Sequence, residues 1–224
     1  MPGWSSSPSS RSPTSLVNLP PPSTFTPPHL LDSSRWAGLR IGLLGGSFNP
    51  PHEGHVHISL IALQSLRLDF VWWLVTPHNP LKDKKSLMPY DERLELSRRL
   101  VSHPKIMVTD LERQLNISRT YDTVMALKRS FPKTSFIWIT GMDNALNFHR
   151  WYRWHDILRE MATAHISRPP ADSLVGACPL RMLKTQTHDS GGTGRSADLS
   201  PGRSYWLLQK EMMDVSSTEI RNTI

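Results

Sequence analysis

Eleven consecutive residues carry the densest chemistry of the chain: Gly45-Gly46-Ser47-Phe48-Asn49-Pro50-Pro51-His52-Glu53-Gly54-His55. The paired glycines lack Cβ atoms, so backbone N–H groups can approach an anion closely. A helix opening at this string would add partial positive charge at the same place. His52 and His55 stand three residues apart and share one side of such a helix. Two imidazole donors aimed at one phosphate chain would stabilise its negative charge. The string is not a P-loop, since no Gly-Lys-Ser/Thr occurs, and it is not G-x-G-x-x-G. His57 lies close by, but no further ligands accompany the three histidines, and no protein metal site is expected.

The elements that must position this string are legible from periodicity. Arg40–Leu44 is a short apolar run ending at the glycine pair and reads as a buried strand. Further strands are expected at Phe70–Val75, Ile106–Val108, Ser135–Thr140 and Thr163–Ser167. Helical spacing marks Val56–Leu66, Tyr90–Leu100, Thr123–Phe131 and Trp154–Glu160. Strands alternating with helices imply an α/β fold, a Rossmann-like doubly wound parallel sheet with helices on both faces. Ligands of such sheets sit at the carboxyl ends of the strands, near the reversal of strand order. Residues 186–203 are polar and rich in Gly and Ser and read as a flexible loop. Tyr205–Leu208 reads as a return to the sheet edge, and Ser216–Ile224 as a short final helix.

A second motif, Val215-Ser216-Ser217-Thr218-Glu219-Ile220-Arg221, stands near the other end of the chain. Together, GGSFNPPHEGH and VSSTEIR resemble the two signatures of the HxGH nucleotidyltransferase superfamily. Between them, Gly141-Met142-Asp143-Asn144-Ala145-Leu146 with Phe148–Trp154, Thr76–Lys82 and Arg119–Thr123 resemble segments of bacterial nicotinate-nucleotide adenylyltransferases. The resemblance covers roughly residues 39–167 and 213–222. It implies transfer of an adenylyl group from ATP to nicotinate mononucleotide, giving nicotinate adenine dinucleotide and pyrophosphate in NAD biosynthesis. It also implies Mg2+ carried by the ATP.

Under that resemblance His52, His55, Lys82 and Arg221 contact the triphosphate and the migrating phosphoryl oxygens. Gly45, Gly46, Ser47, Phe48, Gly54, Ser217 and Thr218 complete the ATP site. Asn79, Thr120, Tyr121, Asp143, Trp151 and Tyr152 form the mononucleotide site. Residue chemistry agrees with these placements. Trp151 offers an electron-rich face to a cationic pyridinium ring. Lys82 is a point charge and Arg221 a forked donor for phosphate oxygens. The resemblance also implies that backbone N–H groups around Tyr121 and Tyr152, with the Thr120 hydroxyl nearby, hold the carboxylate, and such donors would prefer a carboxylate to an amide. Ser217 and Thr218 could equally cap a helix, and Asp143 could bind ribose or cap the helix that follows. Trp72, Trp73 and Trp138 lie inside strands and are assigned to the core, while Trp154 could serve either role.

Composition frames these readings. The chain has 224 residues, a formal net charge of +7, 19 prolines and one cysteine. Residues 1–35 include ten serines and eight prolines, too little apolar matter to offset ordering entropy. Residues 1–37 are therefore expected to form a disordered tail ahead of one domain at 38–224. A lone Cys178 makes no internal disulfide, which suggests a reducing compartment, the cytoplasm. No apolar run approaches a membrane span. The positive charge invites a polynucleotide reading, but Lys82–Lys85 and Arg98-Arg99 are interleaved with acids, like a solvated face. The excess suits an anionic triphosphate and mononucleotide as partners, with no nucleic acid and no membrane. Monomer and homo-oligomer both remain open. Another nucleotidyl transfer, or a non-catalytic relative, are the competing classes.

Overall fold

In the computed structural model the described residues are 32–77, 87–167, 178–190 and 197–207. Seven parallel strands form one sheet in the order β3-β2-β1-β4-β5-β7-β6. They are β1 Arg40–Gly46, β2 Phe70–Val75, β3 Ile106–Thr109, β4 Ser135–Gly141, β5 Ala162–Ile166, β6 Thr187–Ser190 and β7 Arg203–Leu207. The helices are α1 Glu53–Ser65, α2 Tyr90–Leu100, α3 Leu111–Gln114, α4 Thr120–Ser130, α5 Met142–Asn147 and α6 Trp154–Glu160. Strand order reverses between β1 and β4, so the switch point lies at their carboxyl ends.

Side chains alternate across the sheet with period two. Ile41, Leu43, Trp72, Leu74, Phe136 and Trp138 enter one core with residues of α4, α5 and α6. Leu44, Val71, Trp73, Val75, Ile137 and Ile139 enter the other with residues of α1 and α2. Both faces are buried, which is why the strands read as nearly continuous apolar runs. α1 is tied to the sheet by polar atoms as well. Trp73 Nε1 donates to Ser59 Oγ at 2.9 Å, and Ser59 Oγ donates to the His55 carbonyl at 2.8 Å.

Two boundaries differ from the sequence reading. Ser33–Trp36 forms a 3-10 turn, and Trp36 packs edge-on against Phe70 and Trp72 with centroids 5.3 and 4.9 Å away. Ordered structure therefore starts before residue 38, because one tryptophan at the end of the polar segment has a core to enter. Residues 186–203 contain β6, whose polar Thr-His-Asp-Ser sequence pairs with β7. β7 consequently lies inside the sheet rather than at its edge. The expected final helix and residues 1–31 lie outside the described residues. None of the described helices is long and apolar enough to cross a membrane.

Candidate active site

The motif loop leaves β1 at the switch point. Its residue Phe48 adopts φ +45°, a left-handed conformation unusual for a bulky side chain. The ring is 2 % exposed and stacks on Trp73 at 4.8 Å, so core packing holds the loop in this shape. His52 is the N-cap of α1, and His55 occupies the third helical position. The His52 N–H donates to His55 Nδ1 at 3.2 Å, and the two rings lie 3.9 Å apart. His55 also packs against Phe48 at 4.8 Å. The two imidazoles thus meet at the head of α1, as the three-residue spacing requires, and Gly54 is buried between them in sequence.

A cleft of ≈ 380 Å³ opens beside this loop, across the ends of β1 and β4. Gly45, Gly46 and Ser47 line it from the motif. Thr76 lines it from the end of β2, Trp138 from β4, and Thr120 from the start of α4. Trp151 and Tyr152 form another part of the wall. The glycine at position 45 has a packing reason that the motif alone does not reveal. A Cβ there would stand 2.6 Å from Trp138 Cζ2. Trp138 is therefore both core, at 1 % exposure, and cleft lining.

Trp151 stacks on Phe148 at 4.6 Å and meets Trp138 edge-on at 6.3 Å, so its ring is braced on two sides. Four side chains interlock at the nearby rim. Tyr121 and Tyr152 meet edge-on at 6.4 Å, Arg119 lies 4.4 Å over Tyr152, and Arg153 lies 4.1 Å over Tyr121. Cation–π contacts of this kind hold the start of α4 against the turn before α6. The first turn of α4 leaves the N–H groups of Thr120, Tyr121 and Asp122 without helical partners. Donors, arginines and an aromatic wall thus converge where an anionic, flat ligand could be held.

Asp143 sits in the first turn of α5 and is exposed, while Gly141 is the N-cap. It is thus neither the capping residue nor part of the cleft lining; its neighbour Asn144 lines the cleft. Tyr121 supports the rim without lining the cleft, and Phe48 packs beneath the loop. Asn79, Lys82, Ser217, Thr218 and Arg221 lie outside the described residues. Sequence reasoning missed Glu112 and Ser118, both of which line the cleft; it quoted Thr76, Arg119, Asn144 and Arg150 within segments without giving them a role. Ser118 adjoins a recognised segment, so proximity was a usable signal. Glu112 carried none.

Two titratable groups are strongly perturbed near the cleft. Glu112 is 3 % exposed, and burial pushes its carboxyl up, with the hydroxyls of Thr123 and Thr76 pulling partway back. His165 on β5 is fully buried, and desolvation, helped by His188, takes its imidazole down to about 3. It is neutral, with Nδ1 2.7 Å from Thr140 Oγ1 and Nε2 3.1 Å from Thr163 Oγ1. Its ring meets Phe148 edge-on at 6.0 Å, behind the Phe148–Trp151 stack.

A sheet that reverses at β1 and β4, a glycine loop running into paired histidines and a cleft at that reversal define a nucleotidyltransferase scaffold. The chain belongs to the cytidylyltransferase-like family, whose model matches residues 43–223. Within that class it is similar to a "Probable nicotinate-nucleotide adenylyltransferase" of Cereibacter sphaeroides, 43% identical over 185 residues, covering 82% of this chain and 97% of that protein. A protein of the same description from Brucella abortus is 46% identical over 147 residues, 66% of this chain and 75% of its own. A solved structure of Plasmodium falciparum nicotinic acid mononucleotide adenylyltransferase complexed with NaAD shares the fold. Its TM-score is 0.63 at 19% identity, over 82% of this chain and 83% of that one.

Proposed function

We propose that this protein joins ATP and nicotinate mononucleotide to give nicotinate adenine dinucleotide and pyrophosphate. The observation that carries this reading is the cleft at the switch point, with glycine backbone at one end and the braced Trp151 at the other. The similarity to nicotinate-nucleotide adenylyltransferases supports the choice of substrates.

The 5′-phosphate of the mononucleotide is already anionic at neutral pH, so no general base is needed. One of its oxygens attacks the α-phosphorus of ATP in line. The bond from that phosphorus to the bridging oxygen breaks, and pyrophosphate leaves with the electron pair. Catalysis then rests on positioning and charge stabilisation. Gly45, Gly46 and Ser47 bring backbone to the nucleotide, and His52 and His55 at the head of α1 stabilise the phosphate oxygens. Lys82 and Arg221 add cationic donors to the triphosphate, and Ser217 and Thr218 add hydroxyls. Magnesium enters with ATP as part of the substrate. Trp151 takes the pyridinium ring, and the first turn of α4, at Thr120 and Tyr121, takes the carboxylate, with Tyr152 opposite. Asn79 and Asp143 contact the mononucleotide as well. A cytoplasmic location agrees with the buried free thiol of Cys178.

Steady-state kinetics of His55→Ala test the mechanism. A fall in kcat of at least about 100-fold is expected from losing one preorganised donor to the transition state. A near-unchanged kcat would overturn the role of the paired histidines.

A further inference from the structure

Two chain segments meet at the rim of the cleft, and each offers the other an arginine. Arg119, the residue before α4, places its guanidinium 4.4 Å from the centre of the Tyr152 ring. Arg153, the residue before α6, places its guanidinium 4.1 Å from the centre of the Tyr121 ring. The two tyrosines meet edge-on at 6.4 Å. The exchange is reciprocal: the α4 segment gives Arg119 and receives Arg153. At the far ends of the same helices, Lys128 Nζ donates to Glu160 Oε2 at 2.6 Å. Among the described residues no hydrogen bond joins the two segments at the cleft end, where the stacked rings and guanidiniums make the contact.

Arg153 is an unfavourable choice for its own backbone. It adopts φ +53° and ψ +38°, the left-handed region, at the N-cap of α6. An N-cap is ordinarily extended and favours Ser, Thr, Asp or Asn. Two other left-handed residues, Arg67 and Asn116, directly follow the C-caps of α1 and α3, where helices routinely end that way. Glycine would hold the Arg153 conformation without a Cβ clash. The arginine is therefore explained by its side chain. Its Nε donates to Asp156 Oδ2 at 2.6 Å, with the guanidinium over Tyr121. An ion pair this exposed contributes little stability, so the arrangement supplies geometry.

We propose that Arg153 is a positioning residue for the mononucleotide subsite. This deepens the functional reading and rests on it. Arg119, Thr120, Trp151 and Tyr152 line the cleft, whereas Arg153 and Tyr121 stand behind that lining. Arg153 acts through Tyr121. It holds the first turn of α4, with the N–H groups of Thr120 and Tyr121, against the turn that carries Trp151 and Tyr152. The carboxylate and the pyridinium ring of one mononucleotide must reach both segments at once. Without the stack, fewer molecules hold the two segments in register, and apparent affinity falls by that fraction. ATP phosphates meet the motif loop at the other end of the cleft and escape the effect.

The experiment compares the full chain with Arg153→Gly, Tyr121→Leu and the double variant by steady-state kinetics, with thermal unfolding alongside. Glycine removes the guanidinium and relieves the left-handed backbone, while Asp156 keeps its bond to Arg159 at 2.9 Å. The melting point of Arg153→Gly is therefore expected to stay near that of the wild type. Its KM for nicotinate mononucleotide is expected to rise about 2- to 5-fold, because the shift cannot exceed one exposed cation–π contact. KM for ATP and kcat are expected to hold. Tyr121→Leu should raise the same KM, and adding Arg153→Gly to it should raise it no further. An unchanged mononucleotide KM in Arg153→Gly would overturn this inference alone. So would equal rises in both KM values, or effects that multiply in the double variant. If Tyr121→Leu does not fold, the two KM values of Arg153→Gly decide. Absence of wild-type turnover with nicotinate mononucleotide would overturn the functional reading and this inference with it.

Discussion

Arg93→Met is expected to remove about 1–3 kcal/mol of stability, the cost of leaving one buried acceptor unsatisfied. Arg93 lies on α2 with no exposed surface. Its Nη1 donates to the carbonyls of Ser47 and, at 3.0 Å, Thr76. Its Nη2 donates to Pro77 O at 3.1 Å and its Nε to Met88 O at 3.1 Å. One guanidinium therefore ties the motif loop to the end of β2 and to the segment before α2. Burial lowers its pKa, with Tyr90 opposing, so the charge is held at a desolvation cost that the four carbonyls offset. Bonds from a charged donor contribute roughly 1.5–3 kcal/mol each. Methionine would free the guanidinium's desolvation cost but orphan the Ser47 carbonyl, whose bond is buried, while the three part-buried carbonyls can regain water. The orphaned carbonyl sets the upper end of that range and the relieved desolvation the lower. For a chain of this size, each kcal/mol shifts Tm by about 2–4 °C, so a loss of about 1–3 kcal/mol should lower the melting point by about 2–12 °C. Thermal and urea unfolding measure it. A loss below about 1 kcal/mol with an unchanged urea m-value would refute the claim that Arg93 holds these loops.

Two further outcomes follow from the site. Trp151→Ala should raise KM for the mononucleotide by about 2- to 30-fold, the range of one cation–π contact, while KM for ATP stays nearly constant; equal rises in both would contradict the assigned ring. For His165 the folded pKa of about 3 lies below the unfolded value of 6.5. Unfolded chain therefore binds a proton that the native state refuses. Its contribution to stability is complete above pH 6.5 and falls by up to about 1.4 kcal/mol per unit as the pH drops toward 3. Urea titrations of wild type and His165→Gln between pH 7 and 4 should show a shallower slope in the variant.

Much of the scaffold was readable from period and punctuation. Phe70–Val75, Tyr90–Leu100 and Trp154–Glu160 match the structure at both ends. In each case an apolar pattern is bounded by a residue that stops it. β6 was not readable, because Thr187–Ser190 has no apolar pattern and gains its strand identity from pairing with β7. The tryptophan at position 36 sat in a segment dominated by serine and proline, and only its three-dimensional partners reveal it as core. Within the site, the head of α1 was legible because glycine, proline and histidine coincide there. Phe48 was assigned to ATP by resemblance, whereas the structure stacks it on Trp73 and buries it. Glu112 could not be found from sequence, because an isolated acid in a four-residue helix looks like any solvated residue until its burial is known.

The central claim is tested most directly by pyrophosphate release from ATP with nicotinate mononucleotide and nicotinamide mononucleotide assayed side by side. The account predicts turnover with both ATP and the nicotinate form, and a higher kcat/KM for nicotinate than for nicotinamide at pH 7. Release with neither mononucleotide, or a clear preference for the amide at that pH, would contradict it.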